Sequence, residues 1–260
     1  MINDQWITWG VTNIGPSHIK SGLPNQDAWL SRKYKWGEII AVSDGVGSRA
    51  RSDVGSEAIC KSVVQASKIL FKSKKIKLEN IPIEDFLKLI HAIWLVEINP
   101  HSPQECSATC LFTIRNGDKL LLGQLGDGLI IATSTDSNAE ILNDVKDDSF
   151  SNITYSVGSN FHFEQWKYTI LDANEYNSVV LCTDGISDDL ISGSEYDFAK
   201  GLYDAYSNCK PRKRYYEILH WLKNWPTPKH ADDKTIACLN KVNTKTYLMN
   251  YFLNRLSING

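Results

Sequence analysis

Asp44, Asp127 and Asp184 each stand immediately before a glycine at the end of an apolar, β-rich run: EIIAVSDG, KLLLGQLGDG and SVVLCTDG. Taken singly, an Asp-Gly after such a run reads as a tight turn, because Gly takes positive φ and Asp bonds to its own backbone. Three of them, with further acids at Asp27 (NQDAW), Asp188 (TDGISDD) and Asp232-Asp233 (ADDKT), point instead to carboxylates gathered at one sheet edge. Carboxylates are rarely buried unpaired, since taking a charge out of water costs several kcal/mol, so such a gathering calls for cations. Oxygen-only ligand sets select hard ions such as Mg2+ or Mn2+, whereas zinc would bring His or Cys. The chain has no HExxH, no CxxC, no GxSxG elbow, no Walker loop and no GxGxxG, which removes the corresponding zinc, serine-nucleophile and nucleotide chemistries. Asp184 and Asp188 are four apart and would share one side of a helix starting after Gly185. Asp188 and Asp189 also read as acids complementing a helix N-terminus, and that alternative stays open.

The elements that must position these acids follow from periodicity. WITWGVTNI, QDAWLSRKY and GEIIAVSD read as strands, rich in β-branched and aromatic residues and separated by Gly, Pro and Ser. Ile59, Val63, Ala66 and Leu70 then recur at helical spacing from about Ser52 to Phe71, and Phe86, Ile90 and Trp94 do so from Ile83 to Ile98. A second strand block, residues 107–134, carries a hairpin signal at Asn116-Gly117 and a second candidate turn at Asp127-Gly128. Residues 135–165 are polar and read as a flap insertion or a surface loop. Strands return at QWKYTIL, SVVLCTD and KTIACLN, with helices expected near 195–207 and 213–224. Leu248, Phe252 and Leu256 suggest a final helix over 245–257. Segregated strand and helix blocks favour an α+β fold over a doubly wound parallel sheet, and without a repeat or linker the expectation is a single domain over 1–260.

Bulk properties exclude other classes. With 260 residues, 42% hydrophobic and 22% charged, the chain is long enough for a large core, and its net charge of −2 offers no field for nucleic acid or an anionic membrane. MINDQWITWGV lacks the pattern of a secretory leader and no run is long enough to cross a bilayer, so a cytoplasmic setting is expected. The six cysteines are scattered without metal-ligand spacing, several in apolar runs, and read as reduced core residues.

In order along the chain, NQD, DGVG, GDG, TDGISD and DDKTI resemble the motif series of the metal-dependent PPM, or PP2C-type, serine/threonine phosphatases, and SHIKSGLPNQDAWL is similar to the compact bacterial branch. The resemblance runs from about Trp6 to Leu239. It implies a four-layer α-β-β-α sandwich of two mainly antiparallel sheets, and hydrolysis of phosphoserine and phosphothreonine with two, in some members three, Mn2+ or Mg2+ ions. Asp44 would bridge two ions, the Gly45 carbonyl would bind the second, and Asp184 with Asp232 would hold the first. Alignment on Thr235 selects Asp232, although a one-residue slip would put Asp233 there. Asp27 would orient water, and Asp127 with Asp188 would form a third-ion site. The implied partners are a phosphoprotein, a Ser/Thr kinase or its target, with a monomer as the default. Two family features are missing: the phosphate-gripping Arg falls at Gly22, and the His that follows Asp-Gly in some members is Val46. His18 and Arg49 are the candidates for holding substrate phosphate, with Lys20 and Arg51 behind them. A non-catalytic phosphoprotein-binding module and a small-molecule phosphomonoesterase remain as alternatives.

Overall fold

The computed structural model describes residues 4–73, 75–136, 138–143, 155–225 and 231–243. Among these described residues, ten strands and six α-helices follow in order: β1 Asp4–Asn13, α1 Pro16–Ser21, β2 Ala28–Tyr34, β3 Gly37–Ser43, α2 Ser52–Ser67, α3 Ile83–Glu97, β4 Cys110–Asn116, β5 Lys119–Leu125, β6 Leu129–Ser134, β7 Ala139–Asn143, β8 Lys167–Asp172, β9 Tyr176–Cys182, α4 Asp184–Ser187, α5 Glu195–Tyr206, α6 Pro211–Lys223 and β10 Lys234–Asn243. One sheet has the order β1-β10-β9-β6-β7 and the other β2-β3-β4-β5-β8. Every neighbouring pair is antiparallel.

Side-chain alternation explains the layering. In β3, Ile39 and Ala41 pack with Ile59, Val63, Phe86, Ile90 and Trp94 of α2 and α3. Their neighbours Ile40 and Val42 point the other way and meet Ile130, Val179, Leu181, Ala237 and Leu239 of the opposite sheet. On the far side of that second sheet, Ile131, Val180, Ile236 and Cys238 pack with Ala199 and Leu202 of α5 and with Ile218 and Leu222 of α6. Three apolar layers therefore separate four structural ones, giving the expected α-β-β-α sandwich. A strand covered on both faces is buried at every position, which is why GEIIAVS centres on the apolar run Ile39 to Val42 and its buried Glu38 is paired with Arg115 and Lys33. Each fully buried Ile, Leu or Val contributes about 1.5–3 kcal/mol of transfer free energy, before the entropy that ordering costs.

The structure departs from expectation in four places. Asn116 ends β4 and Gly117 turns the chain into β5 at φ +62°, as anticipated, but Asp127-Gly128 is no hairpin. β5 and β6 belong to different sheets, and Gly126 and Gly128, at φ +90° and +99°, carry the chain across the sandwich. SHIKS forms the short helix α1, which the sequence reading passed over. The 135–165 segment is built into the body where it is described: Ala139–Asn143 is an edge strand on β6, Val157 bridges Ala108, and Phe161 and Phe163 pack against the helical core. Polar outward positions hid that edge strand from an apolar-run search. α2 runs on into a π-helical turn, Lys68–Ser73. The 245–257 helix falls outside the described residues.

No helix among the described residues is long and apolar enough to cross a membrane. All six cysteines are free, and five are buried. Burial pushes the thiols of Cys60, Cys110, Cys182 and Cys238 well above their ordinary range, which leaves them unreactive.

Candidate metal centre

Register places the acids together. Ala28 pairs with Ser43, Val42 with Leu111 and Cys110 with Leu125, so the start of β2 and the ends of β3 and β5 lie at one end of their sheet. In the other sheet Cys182 pairs with both Leu129 and Ile236, and Asn13 with Lys234, which brings the ends of β9 and β1 beside the starts of β6 and β10. Asp27, Asp44, Asp127, Asp184, Asp232 and Asp233 are the residues just beyond these termini.

A cleft of about 550 Å3 opens there, with Asp44, Gly45, Asp127, Asp184, Asp232 and His18 on its wall. Ligand-capable oxygens of Asp44, Asp127 and Asp184 all lie within 4.8 Å of one another. Burial first, and repulsion from Asp27, Asp184, Asp232 and Asp127 second, hold the Asp44 carboxyl well above the usual carboxylate range. The same causes, burial followed by repulsion from Asp127, Asp232 and Asp188, push Asp184 up to about 7. A site that resists its own ionisation this strongly is one that a cation would complete. Gln26 supplies an independent sign: its Oε1 is buried on the cleft wall without a hydrogen-bond partner among the described residues.

Hydrogen bonds and close backbone packing fix Asp44, Asp184 and Asp27. The Asp44 N–H donates to Thr109 Oγ1 at 2.8 Å, and the Thr109 N–H returns to the Asp44 carbonyl at 2.8 Å. Ser43 Oγ completes the clasp by donating to the Thr109 carbonyl at 2.6 Å. Gly45 is packed so closely that an added Cβ would lie 2.6 Å from the Ser52 carbonyl oxygen. Asp184 opens α4, and the next residue, Gly185, lets the Asp233 backbone approach: an added Cβ would collide with the Asp233 carbonyl oxygen. Asp27 is buried and accepts from Thr183 Oγ1 at 2.8 Å, while Thr183 Oγ1 in turn accepts the Thr235 N–H at 3.0 Å. Burial dominates its titration and pushes it to about 8, against the opposing hydrogen bond from Thr235.

The structure separates the environments of Asp232 and Asp233, which sequence left interchangeable. Asp232 is exposed to the cleft. Asp233 is buried; its Oδ1 accepts the Gly15 N–H at 2.6 Å, and its Oδ2 accepts the Gln26 N–H at 2.6 Å and faces His18 Nδ1 at 2.9 Å. Lys234, also buried, donates from Nζ to the Asp232 carbonyl at 3.0 Å, and burial lowers its ammonium below the usual lysine range. Asp127 and Asp188 line a second, smaller cleft of about 130 Å3 with Ser187 and Glu195.

The two candidates for substrate phosphate are placed differently. His18 sits on the cleft wall, whereas Arg49 is exposed and does not line the cleft. Thr109 and Gln26 carry parts of the site that sequence reasoning did not single out. Gln26 lay within the NQD motif and was legible in principle; Thr109, in a plain SATC run, gave no signal.

A family model described as protein phosphatase 2C matches residues 14–225. The chain belongs to the protein phosphatase 2C family. Solved structures agree on the fold of this PP2C-family chain. It is similar to the catalytic domain of the serine/threonine protein phosphatase PstP in complex with two manganese ions, at 15% identity and a TM-score of 0.61 over 92% of this chain and 100% of that one. PppA, a regulatory component of T6SS in Pseudomonas aeruginosa, aligns at 15% identity and TM-score 0.62 over 92% and 100%. RsbX in complex with magnesium aligns at 13% identity and TM-score 0.57 over 93% and 100%. Among curated proteins, none matches the chain in sequence.

Proposed function

We propose that this PP2C-family chain is a divalent-metal-dependent serine/threonine protein phosphatase that hydrolyses phosphoserine and phosphothreonine monoesters with water. The observation that carries the reading is the meeting of Asp44, Asp127 and Asp184 oxygens within 4.8 Å in a cleft that Asp232 also lines. The cluster of Asp44, Asp127 and Asp184 fits hard cations: its side-chain donors are all oxygen, burial and mutual repulsion raise the Asp44 and Asp184 carboxyls, and the buried Gln26 oxygen borders it. Asp44, the Gly45 carbonyl, Asp184 and Asp232 would hold two ions, with Asp127 and Asp188 available to a third. Mn2+ or Mg2+ bound there would supply a nucleophile at neutral pH and neutralise phosphate charge.

The chain's own residues do the rest. Asp27, behind the site and hydrogen-bonded to Thr183, holds the segment before Asp184 in register and would orient water. The Thr109 clasp fixes the Asp44 backbone, so little reorganisation is needed when charge develops on the phosphoryl oxygens. Asp233 acts as a clamp on the chain from Gly15 to Gln26, which forms one wall of the cleft.

PstP is named as a serine/threonine phosphatase with manganese and RsbX is seen with magnesium, which supports the choice of ion. We further propose a phosphorylated protein, a Ser/Thr kinase or its target, as substrate, met by a cytoplasmic monomer. The test is release of phosphate from phosphoseryl and phosphothreonyl peptides with MnCl2, with and without chelator. Turnover that persists in chelator, or none under any divalent ion, would reject the reading.

A further inference from the structure

We propose that His18 gives the proton to the departing seryl or threonyl oxygen and that Asp233 positions it, an inference that rests on the phosphatase reading above. A serine alkoxide is a poor leaving group, so the P–O bond breaks readily only if its oxygen receives a proton as it goes. With the aspartates of the cleft assigned to cations, the remaining polar side chains on its wall are Ser17, His18, Gln26 and Thr109. Of these, only an imidazole gives up and regains a proton readily near neutral pH.

The local geometry is that of a held proton donor. His18 Nδ1 lies 2.9 Å from Asp233 Oδ2, with side-chain exposures of 14% and 2%. Asp233 is itself immobilised, since it also takes the N–H groups of Gly15 and Gln26, the two ends of the loop and helix that carry His18. With Nδ1–H donated to a buried carboxylate, ring orientation is fixed. Among the described residues Nε2 has no hydrogen-bond partner, and the ring lines the cleft. α1 is thus more than a linker: it brings the imidazole to the wall facing the acidic cluster.

The step balances as follows. Water oxygen bonds to phosphorus, the bond from phosphorus to the seryl oxygen breaks, and its electron pair stays on that oxygen, which takes the Nε2 proton. One proton of the water passes to solvent, and the imidazole regains its own from solvent.

The discriminating experiment compares H18Q with wild type on a phosphoseryl peptide and on p-nitrophenyl phosphate, whose nitrophenolate leaves without needing a proton. We expect kcat on the peptide to fall about 100-fold further than kcat on the aryl ester, in line with the range for general acid catalysis. KM should move little, and Mn2+ affinity by calorimetry should be retained. D233N should move the same ratio in the same direction by a smaller factor. Equal losses on both substrates, a change confined to KM, or a loss of Mn2+ affinity would overturn the proposal, the second by making His18 a phosphate grip and the third by making it a ligand. A wild-type protein inactive on both substrates would overturn the phosphatase reading and this one together.

Discussion

Carboxylates gathered against their own charge should tie the stability of the chelated protein to pH. Asp27 and Asp184 have folded values of about 8 and about 7 against an ordinary 3.8, so the native state favours their protonated forms. Groups raised in this direction support folding fully below pH 4 and lose that support as pH rises through 7 and 8. The melting temperature of chelated protein should therefore fall from mildly acidic toward alkaline pH, and Mn2+ should recover most of the loss at pH 8. A flat profile in thermal melts would contradict the crowding. D44N and D184N remove one charge each from that cluster. Phosphatase activity should drop to background, while chelated D184N should melt no lower than chelated wild type at pH 8. Thr183 belongs to the same scale: T183V strips Asp27 of a buried donor and leaves the Thr235 N–H unpaired, at a cost of about 1–3 kcal/mol in denaturant melts. The single letters of the chain pointed to these acids because Asp before Gly at strand ends is visible in sequence. They did not separate Asp232 from Asp233, because which of two adjacent carboxylates turns inward depends on distant partners, Gly15 and Gln26, more than 200 residues away.

At the level of elements, the two central helices and most strands were readable from period alone. A strand with both faces covered, such as β3, carries a continuous apolar run, Ile39 to Val42, and α3 repeats Phe86, Ile90 and Trp94 on its buried side. β7 and α1 were missed for the same physical reason. β7 is an edge strand with one buried position, and α1 has none, so neither leaves the apolar signature that periodicity detects. The β5–β6 junction misled for a different reason. Asp-Gly reports a backbone with positive φ, not the sheet to which the next strand goes. Close approaches at element ends give a direct test. Gly185 admits the Asp233 backbone, so G185A must either shift α4 or displace the start of β10. We expect about 1–3 kcal/mol of destabilisation from overpacking, with Mn2+ affinity reduced further than stability alone would require. Wild-type Mn2+ binding in a G185A protein that folds normally would show that α4 and β10 need not be so close.

For the molecule as a whole, the cleft lies where the two sheets meet. Asp44 follows β3 of one sheet, Asp184 and Asp232 flank β9 and β10 of the other, and Asp127 lies on the glycine-hinged crossing between them. The apolar layer between the sheets holds the sandwich together along its length, but at this end the facing groups are like charges. An ion bound there would behave as a rivet through the seam. Amide hydrogens at the ends of β3 and β9 should then exchange more slowly with Mn2+ than in chelator, while those of α3, remote from the seam, should exchange at the same rate. With the apolar layer joining the sheets along the rest of their length, only this charged end would answer to the supply of divalent ion, so the same ion that equips the cleft for chemistry would also tighten the local join between the sheets.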